Sequence, residues 1–198
     1  MIYGVGVSEG GKFLRSDVTE DSKRKFSTVE YRTWYNMLLR CFDEDYHIKK
    51  PTYIGCSVSE NFKNFQWFAE WCNNQVGFKS KFHLDKDLLV PRNKVYSEEN
   101  CVFLPPVINA FLLKNQALRG DTPIGVNYHI TQQMYKVRCG DGYGKRVNLG
   151  SYTCVEEAFN VYKRHKESLA KRLAEEYKNV IDPRAYEALM NYEVKIDD

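Results

Sequence analysis

Between Phe82 and Leu112 the chain sets out carboxylates, carboxamides and a histidine at intervals that could hold a cation against a phosphate. Phe82-His83-Leu84-Asp85-Lys86-Asp87-Leu88-Leu89-Val90 reads as a strand, Pro91-Arg92-Asn93-Lys94 as a turn and Val95–Leu104 as containing a second strand. Pro105-Pro106 then opens a short helix carrying Val107, Ile108, Asn109, Phe111 and Leu112. Strand, loop, strand and helix form the smallest scaffold for one-metal phosphodiester hydrolysis. That chemistry needs oxygen ligands for a hard cation and a base, usually histidine, to deprotonate water. Alternation along the first strand puts His83, Asp85 and Asp87 on one side and Leu84, Lys86 and Leu88 on the other.

A second group of residues could grip nucleic acid. Over 133–139, Met134, Lys136 and Arg138 alternate with Gln133, Tyr135 and Val137, giving one basic and one more apolar face. Over 145–150, Val147 and Leu149 point inward and Arg146 and Asn148 outward. Lys136, Arg138, Lys145 and Arg146 against Asp141 leave a local surplus of three positive charges. Arginine suits bidentate contact with guanine, asparagine suits adenine and lysine suits phosphate. With Arg119 in the preceding linker, these are the candidate DNA contacts.

The elements that must position these groups are legible from periodicity. Residues 1–26, with four early glycines and the charged run Asp21–Lys25, read as an irregular arm. Ser27-x-x-Glu30 offers a capping box, and Trp34, Met37, Leu38 and Cys41 follow on one helical face. Phe65, Phe68, Ala69 and Cys72 repeat that spacing. The cluster Phe62, Phe65, Trp67, Phe68 and Trp71 could stack on bases, but its spacing is that of a buried stripe, so a core is expected. Arg119–Pro123 is a linker by composition. Three short strands are expected near 124–129, 133–139 and 145–150, with a turn at Gly140–Gly144. A second capping box, Thr153-x-x-Glu156, precedes a helix with Val155, Ala158, Phe159, Tyr162, Leu169, Leu173 and Tyr177 on one stripe. The run Lys163–Lys166 reads as a mostly solvated face, and the end, Glu193–Asp198, as frayed. His129 and His165 stand apart from other ligand types.

Leu84-Asp85-Lys86-Asp87, then Asn93–Cys101, then Asn109, resembles the HNH (ββα-metal) endonuclease family. The likeness is closest to bacteriophage members with a Leu-Asp-Lys-Asp or Leu-Asp-Arg-Ile-Asp strand and a Tyr-Ser-Pro-Glu-Asn segment. Trp34-x-x-Met37-x-x-x-Arg40-Cys41, Pro51-Thr52-Tyr53 and Phe65-x-x-Phe68-x-x-Trp71 are similar to the lead-in of those proteins, so the likeness spans about residues 28–115. The resemblance implies that Asp85 and Asn109 bind Mg2+ or Mn2+ and that Asn100 pins the loop. It departs at the base: the family carries histidine after the aspartate, and this chain carries Lys86. Lysine, with a pKa of ~10.4, is a poor base at neutral pH, though it could contact a phosphate. His83, Asp87 and Tyr96 are the alternatives, and His83 and Asp87 share the Asp85 side of the strand.

Gly125-Val126, Tyr135-Lys136-Val137-Arg138, Leu149-Gly150-x-Tyr152-Thr153-x-x-Glu156-Glu157-Ala158 and Tyr162 resemble the AP2 DNA-binding domain over about 122–175. That likeness implies a three-stranded sheet in the major groove braced by a helix. The expected fold class is therefore α+β: an HNH-like ββα unit with flanking helices, then an AP2-like antiparallel sheet packed on one helix. The expected division is an arm at 1–26, an HNH-like domain at 27–118, an AP2-like domain at 122–178 and a tail at 179–198.

Composition narrows the alternatives. The 198 residues are 43% hydrophobic and 28% charged, which argues against long-range disorder. No apolar run reaches the ~18 residues of a membrane helix, and Met1-Ile2-Tyr3-Gly4 lacks a signal-peptide layout. A cytoplasmic location is expected, in the bacterial host if the source is a phage. The six cysteines include no Cys-x-x-Cys pair, so no zinc is expected and reduced, half-buried thiols are. A net charge of +3 makes no case for DNA by itself. Three readings follow: homing-type cleavage or nicking of double-stranded DNA, DNA binding without cleavage, and binding to a host protein.

Overall fold

The structure, a computed structural model, describes residues 1–17, 26–113 and 121–198; the run Asp21–Lys25 lies outside them. Two compact units result, Met1–Phe103 and Leu104–Asp198. The division falls inside the strand Val102–Leu104.

In the first unit β1 (Ser16–Asp17) pairs antiparallel with β2 (Phe26–Ser27). Thr28, rather than Ser27, caps α1 (Val29–Phe42). Its Oγ1 accepts from the Tyr31 amide at 3.2 Å and donates to the Leu14 carbonyl at 2.9 Å. The expected capping box is displaced because Ser27 is held in the ladder with Ser16, while the Glu30 carboxylate accepts from Asn73 Nδ2 at 3.1 Å. α1 buries Trp34, Met37, Leu38 and Cys41. α2 (Glu44–Lys49) and β3 (Ser57–Val58) lead to α3 (Phe65–Asn73), which buries Phe65, Phe68, Ala69 and Cys72. Trp34 Nε1 donates to the Phe62 carbonyl at 2.7 Å, and the Phe62 and Phe68 rings meet edge-on at 5.0 Å. Phe62, Phe65 and Phe68 thus belong to the core that holds α1 to α3 and Trp71 packs on it, whereas Trp67, expected in the same core, is 38% exposed.

The start of the chain is docked, not loose. Val7 and Phe65 are joined to the backbone of the other segment through Val7 N to Lys63 O and Phe65 N to Val7 O. Ile2, Tyr3, Val5 and Phe13 pack on the core, and the Gln66 carboxamide bonds both the amide and the carbonyl of Phe13 at 2.9 Å. β4 (His83–Asp85), β5 (Val95–Tyr96) and β6 (Val102–Leu104) complete the strands of this region: β5 lies parallel to β3, and β4 beside β6.

The second unit opens with α4 (Pro106–Phe111). β7 (Val126–His129), β8 (Met134–Gly140) and β9 (Arg146–Tyr152) form an antiparallel meander in that order, backed by α5 (Val155–Tyr177). Ile124, Val126, Val137 and Cys139 meet Ala158, Phe159 and Tyr162 in the shared core. Gly125 sits at φ +77° with the Tyr162 ring against it; a Cβ there would lie 2.0 Å from Tyr162 Cδ2. Cys154 is the N-cap of α5 and makes no capping bond, so the second expected box does not form either. The helix begins one residue too late for Thr153 to serve.

Two further expectations are corrected here. Lys166 is 9% exposed; its ammonium donates to the Phe111 carbonyl and lies 3.7 Å from the centre of the Phe111 ring, tying the end of α4 to α5. Lys163 pairs with Glu167 and Glu193 and donates to the Val194 carbonyl. Neither lysine is a solvated spectator. The 179–198 tail holds a helix, and the end expected to fray from Glu193 is anchored at Val194. α6 (Pro183–Met190) buries Ala185 and Leu189, and Val194, 2% exposed, donates its amide to Glu167 at 3.0 Å.

The fold is mixed α+β with small sheets. No helix among the described residues is long and apolar enough to cross a membrane. Five cysteines are buried, Cys154 is exposed, and none forms a disulfide.

Candidate nucleic-acid interface

β4 ends where Asp85 turns back on the chain: its Oδ1 accepts from the amides of Asp87 at 3.0 Å and Leu88 at 2.8 Å. Burial pushes the Asp85 pKa up, and those two amides only partly offset it. Leu84, Lys86 and Leu88 are buried, His83 and Asp87 exposed and Asp85 intermediate, so the faces divide as alternation requires. Lys86, 5% exposed, is turned into the unit. Its ammonium donates to Asp87 Oδ1 at 2.6 Å and to the Asn93 carbonyl at 2.7 Å, and lies 5.7 Å from the Tyr96 ring centre. That cation is committed to internal partners, and the Asp87 carboxylate carries it.

The loop between β4 and β5 is pinned by Asn93. Its Nδ2 donates to the carbonyls of Lys86 at 2.9 Å and Val95 at 2.7 Å, while its Oδ1 accepts from the Val95 amide at 2.9 Å. Asn100, expected in that role, is half-buried and engages through its backbone amide, which donates to Ser97 Oγ at 3.3 Å. Asparagine's habit of bonding its own backbone two residues on was the available signal for Asn93. The lead-in residues are also structural: the Arg40 guanidinium sits 5.6 Å from the Tyr53 ring centre, and its charge acts on the buried Tyr96 hydroxyl. Burial holds the Tyr96 hydroxyl protonated despite Arg40, which removes it from the list of bases. Asp85 belongs to the first unit and Asn109, on α4, to the second. Among the described residues no three His, Cys, Asp or Glu side chains gather as a metal site.

The sheet of the second unit has a different character. Val126 pairs with Val137 and Cys139 with Val147 on the face toward α5. On the opposite face Asn127 pairs with Lys136, Lys136 with Ser151, Arg138 with Asn148, and Gly140 with Arg146. A β-bulge makes this possible. Leu149 and Gly150 together oppose Val137, so both lie toward the core side while Ser151 and Asn148 keep the outer face. Gly150 adopts φ +117°, a conformation glycine tolerates and other residues resist.

Arg138, Arg146 and Asn148 are exposed and Lys136 half-buried. Among the described residues none of Lys136, Arg138, Lys145 or Arg146 is ion-paired, and no carboxylate stands on this face. Asp141 lies instead in the β8–β9 turn. There its Oδ1 accepts from the Tyr143 amide at 2.7 Å and the Lys145 amide at 3.0 Å, which lowers its pKa and presents Lys145 at the tip. Arg119 lies outside the described residues. No family model, curated protein or solved structure matches this chain.

Proposed function

We propose that the chain binds double-stranded DNA through the outer face of β7–β9, as its likeness to the AP2 domain implies. The observation that supports this most is a sheet face, largely exposed, on which among the described residues the cations are unpaired and no carboxylate stands. Two or three strands match the width of the B-form major groove, and the phosphates supply the missing anions. Fluorescence anisotropy with a labelled duplex across a salt series tests it. Four cations set a ceiling of about −3.6 on the slope of log K against log salt, at ~0.9 per phosphate. The triple variant K136A/R138A/R146A should bind more weakly and with a shallower slope. Absence of wild-type binding at low salt refutes the reading. Equal affinity for duplex RNA, whose major groove is too narrow for a sheet, also counts against it.

A second reading, HNH-like cleavage or nicking with Mg2+ or Mn2+ at Asp85 as the family likeness implies, is favoured by one feature. His83 stays exposed on the Asp85 side of β4, whereas Lys86 and Asp87 are occupied with each other. His83 is then the residue to take the proton from water, and the ion would supply charge stabilisation at the phosphate. Supercoiled plasmid incubated with each metal separates the readings. Relaxation by wild type but not by D85A or H83A supports cleavage; equal inertness of all three leaves DNA binding alone.

A further inference from the structure

We propose that Asn127, on β7, is the residue of this face that reads an adenine, in preference to Asn148; the inference rests on the duplex-binding reading above. Recognition of adenine by asparagine is bidentate: the carboxamide oxygen accepts from N6 and its nitrogen donates to N7. Both atoms must be available. Asn148 Oδ1 already accepts from the Gly150 amide at 3.3 Å, a bond that belongs to the bulge and fixes that side chain along its own strand. The exposed Asn127 carboxamide forms no hydrogen bond with any described residue. Its neighbour across the ladder is Lys136, which is followed in the same row by Ser151. A lysine beside the reading group suits the division of labour in which phosphate contact sets position and the carboxamide sets sequence.

The ladder also fixes spacing. Lys136 and Arg138 are two residues apart on one strand, ~6.8 Å, against ~3.4 Å per base step in B-DNA. The row holding Asn127 and the row holding Arg138 therefore address positions no more than about two base steps apart. A site with an adenine and a guanine at that separation is the expected target.

Selection of bound duplexes from a randomised pool tests this with wild type, N127A and N148A, alongside titration of each protein against an unselected duplex. The wild type should enrich a motif containing an A·T pair that N127A no longer enriches and N148A does. Affinity of N127A for the selected site should fall by about 5- to 150-fold, the range for one lost bidentate contact, with its affinity for unselected duplex within about twofold of wild type. Retention of the same motif by N127A, loss of it by N148A instead, or enrichment of no motif by a wild type that binds duplex would each overturn the inference. Failure of the wild type to bind any duplex would instead overturn the binding reading on which it rests.

Discussion

Truncating Asn93 to alanine should cost far more than truncating Asn100, although the family likeness gives the pinning role to Asn100. The Asn93 carboxamide satisfies two carbonyls, Lys86 and Val95, and one amide, Val95. A typical internal hydrogen bond contributes about 1 kcal/mol net, and the Asn93 site is half-exposed, so water recovers part of the loss. The expected cost for N93A is about 2–3 kcal/mol. The Asn100 side chain bonds no described residue, and N100A should cost less than about 1 kcal/mol. Urea unfolding followed by tryptophan fluorescence measures this directly, because Trp34, Trp67 and Trp71 all lie in the first unit and report on it alone. A midpoint unchanged in N93A, or one lowered equally in both variants, refutes the assignment.

Two other outcomes follow from the second unit. Gly125→Ala should destabilise by about 2–5 kcal/mol, from a left-handed backbone and overlap with Tyr162, read as a loss of at least ~8 °C in Tm. Asp182 caps α6, its Oδ1 accepting from the Arg184 amide at 2.8 Å; burial raises its pKa, but the side chain and amide of Arg184 bring it below the ordinary value. A depressed carboxyl pKa stabilises the fold above the unfolded pKa of ~3.9 and loses that contribution as pH falls through the folded value. D182A should therefore cost about 1 kcal/mol at pH 7, with the gap from wild type closing in acid; a gap independent of pH refutes the charge-assisted cap.

Long-period patterns in the sequence carried well into the structure. The stripes of α1, α3 and α5, the meander and the basic alternation on β8 all depend on repetition over many residues, which single exceptions do not erase. What failed was decided by one residue's choice of partner. Thr28 rather than Ser27 caps α1 because a two-residue ladder captures Ser27 first. Lys166 and Lys163 read as solvent-facing cations, yet a carbonyl at the end of α4 and carboxylates on α5 and in the final segment claim them. Within 83–100, identity and spacing alone located the loop but not its pin. Asn93 and Asn100 are the same residue type, and only the fold shows which carboxamide meets the backbone.

The doubled position at Leu149 and Gly150 makes the second unit unequally tolerant of changes in length. Removing Leu149 would restore a regular ladder with Arg146, Asn148 and Ser151 still outward, whereas one residue inserted elsewhere in β9 would invert the strand beyond it. Arg146 and Asn148 would then be driven toward the hydrophobic side, and Val147 would be left in solvent. Chains of this kind that differ in length by a residue at this spot should keep the surface chemistry of the strand. Those that differ anywhere else along it should either compensate with a second irregularity or lose the surface altogether.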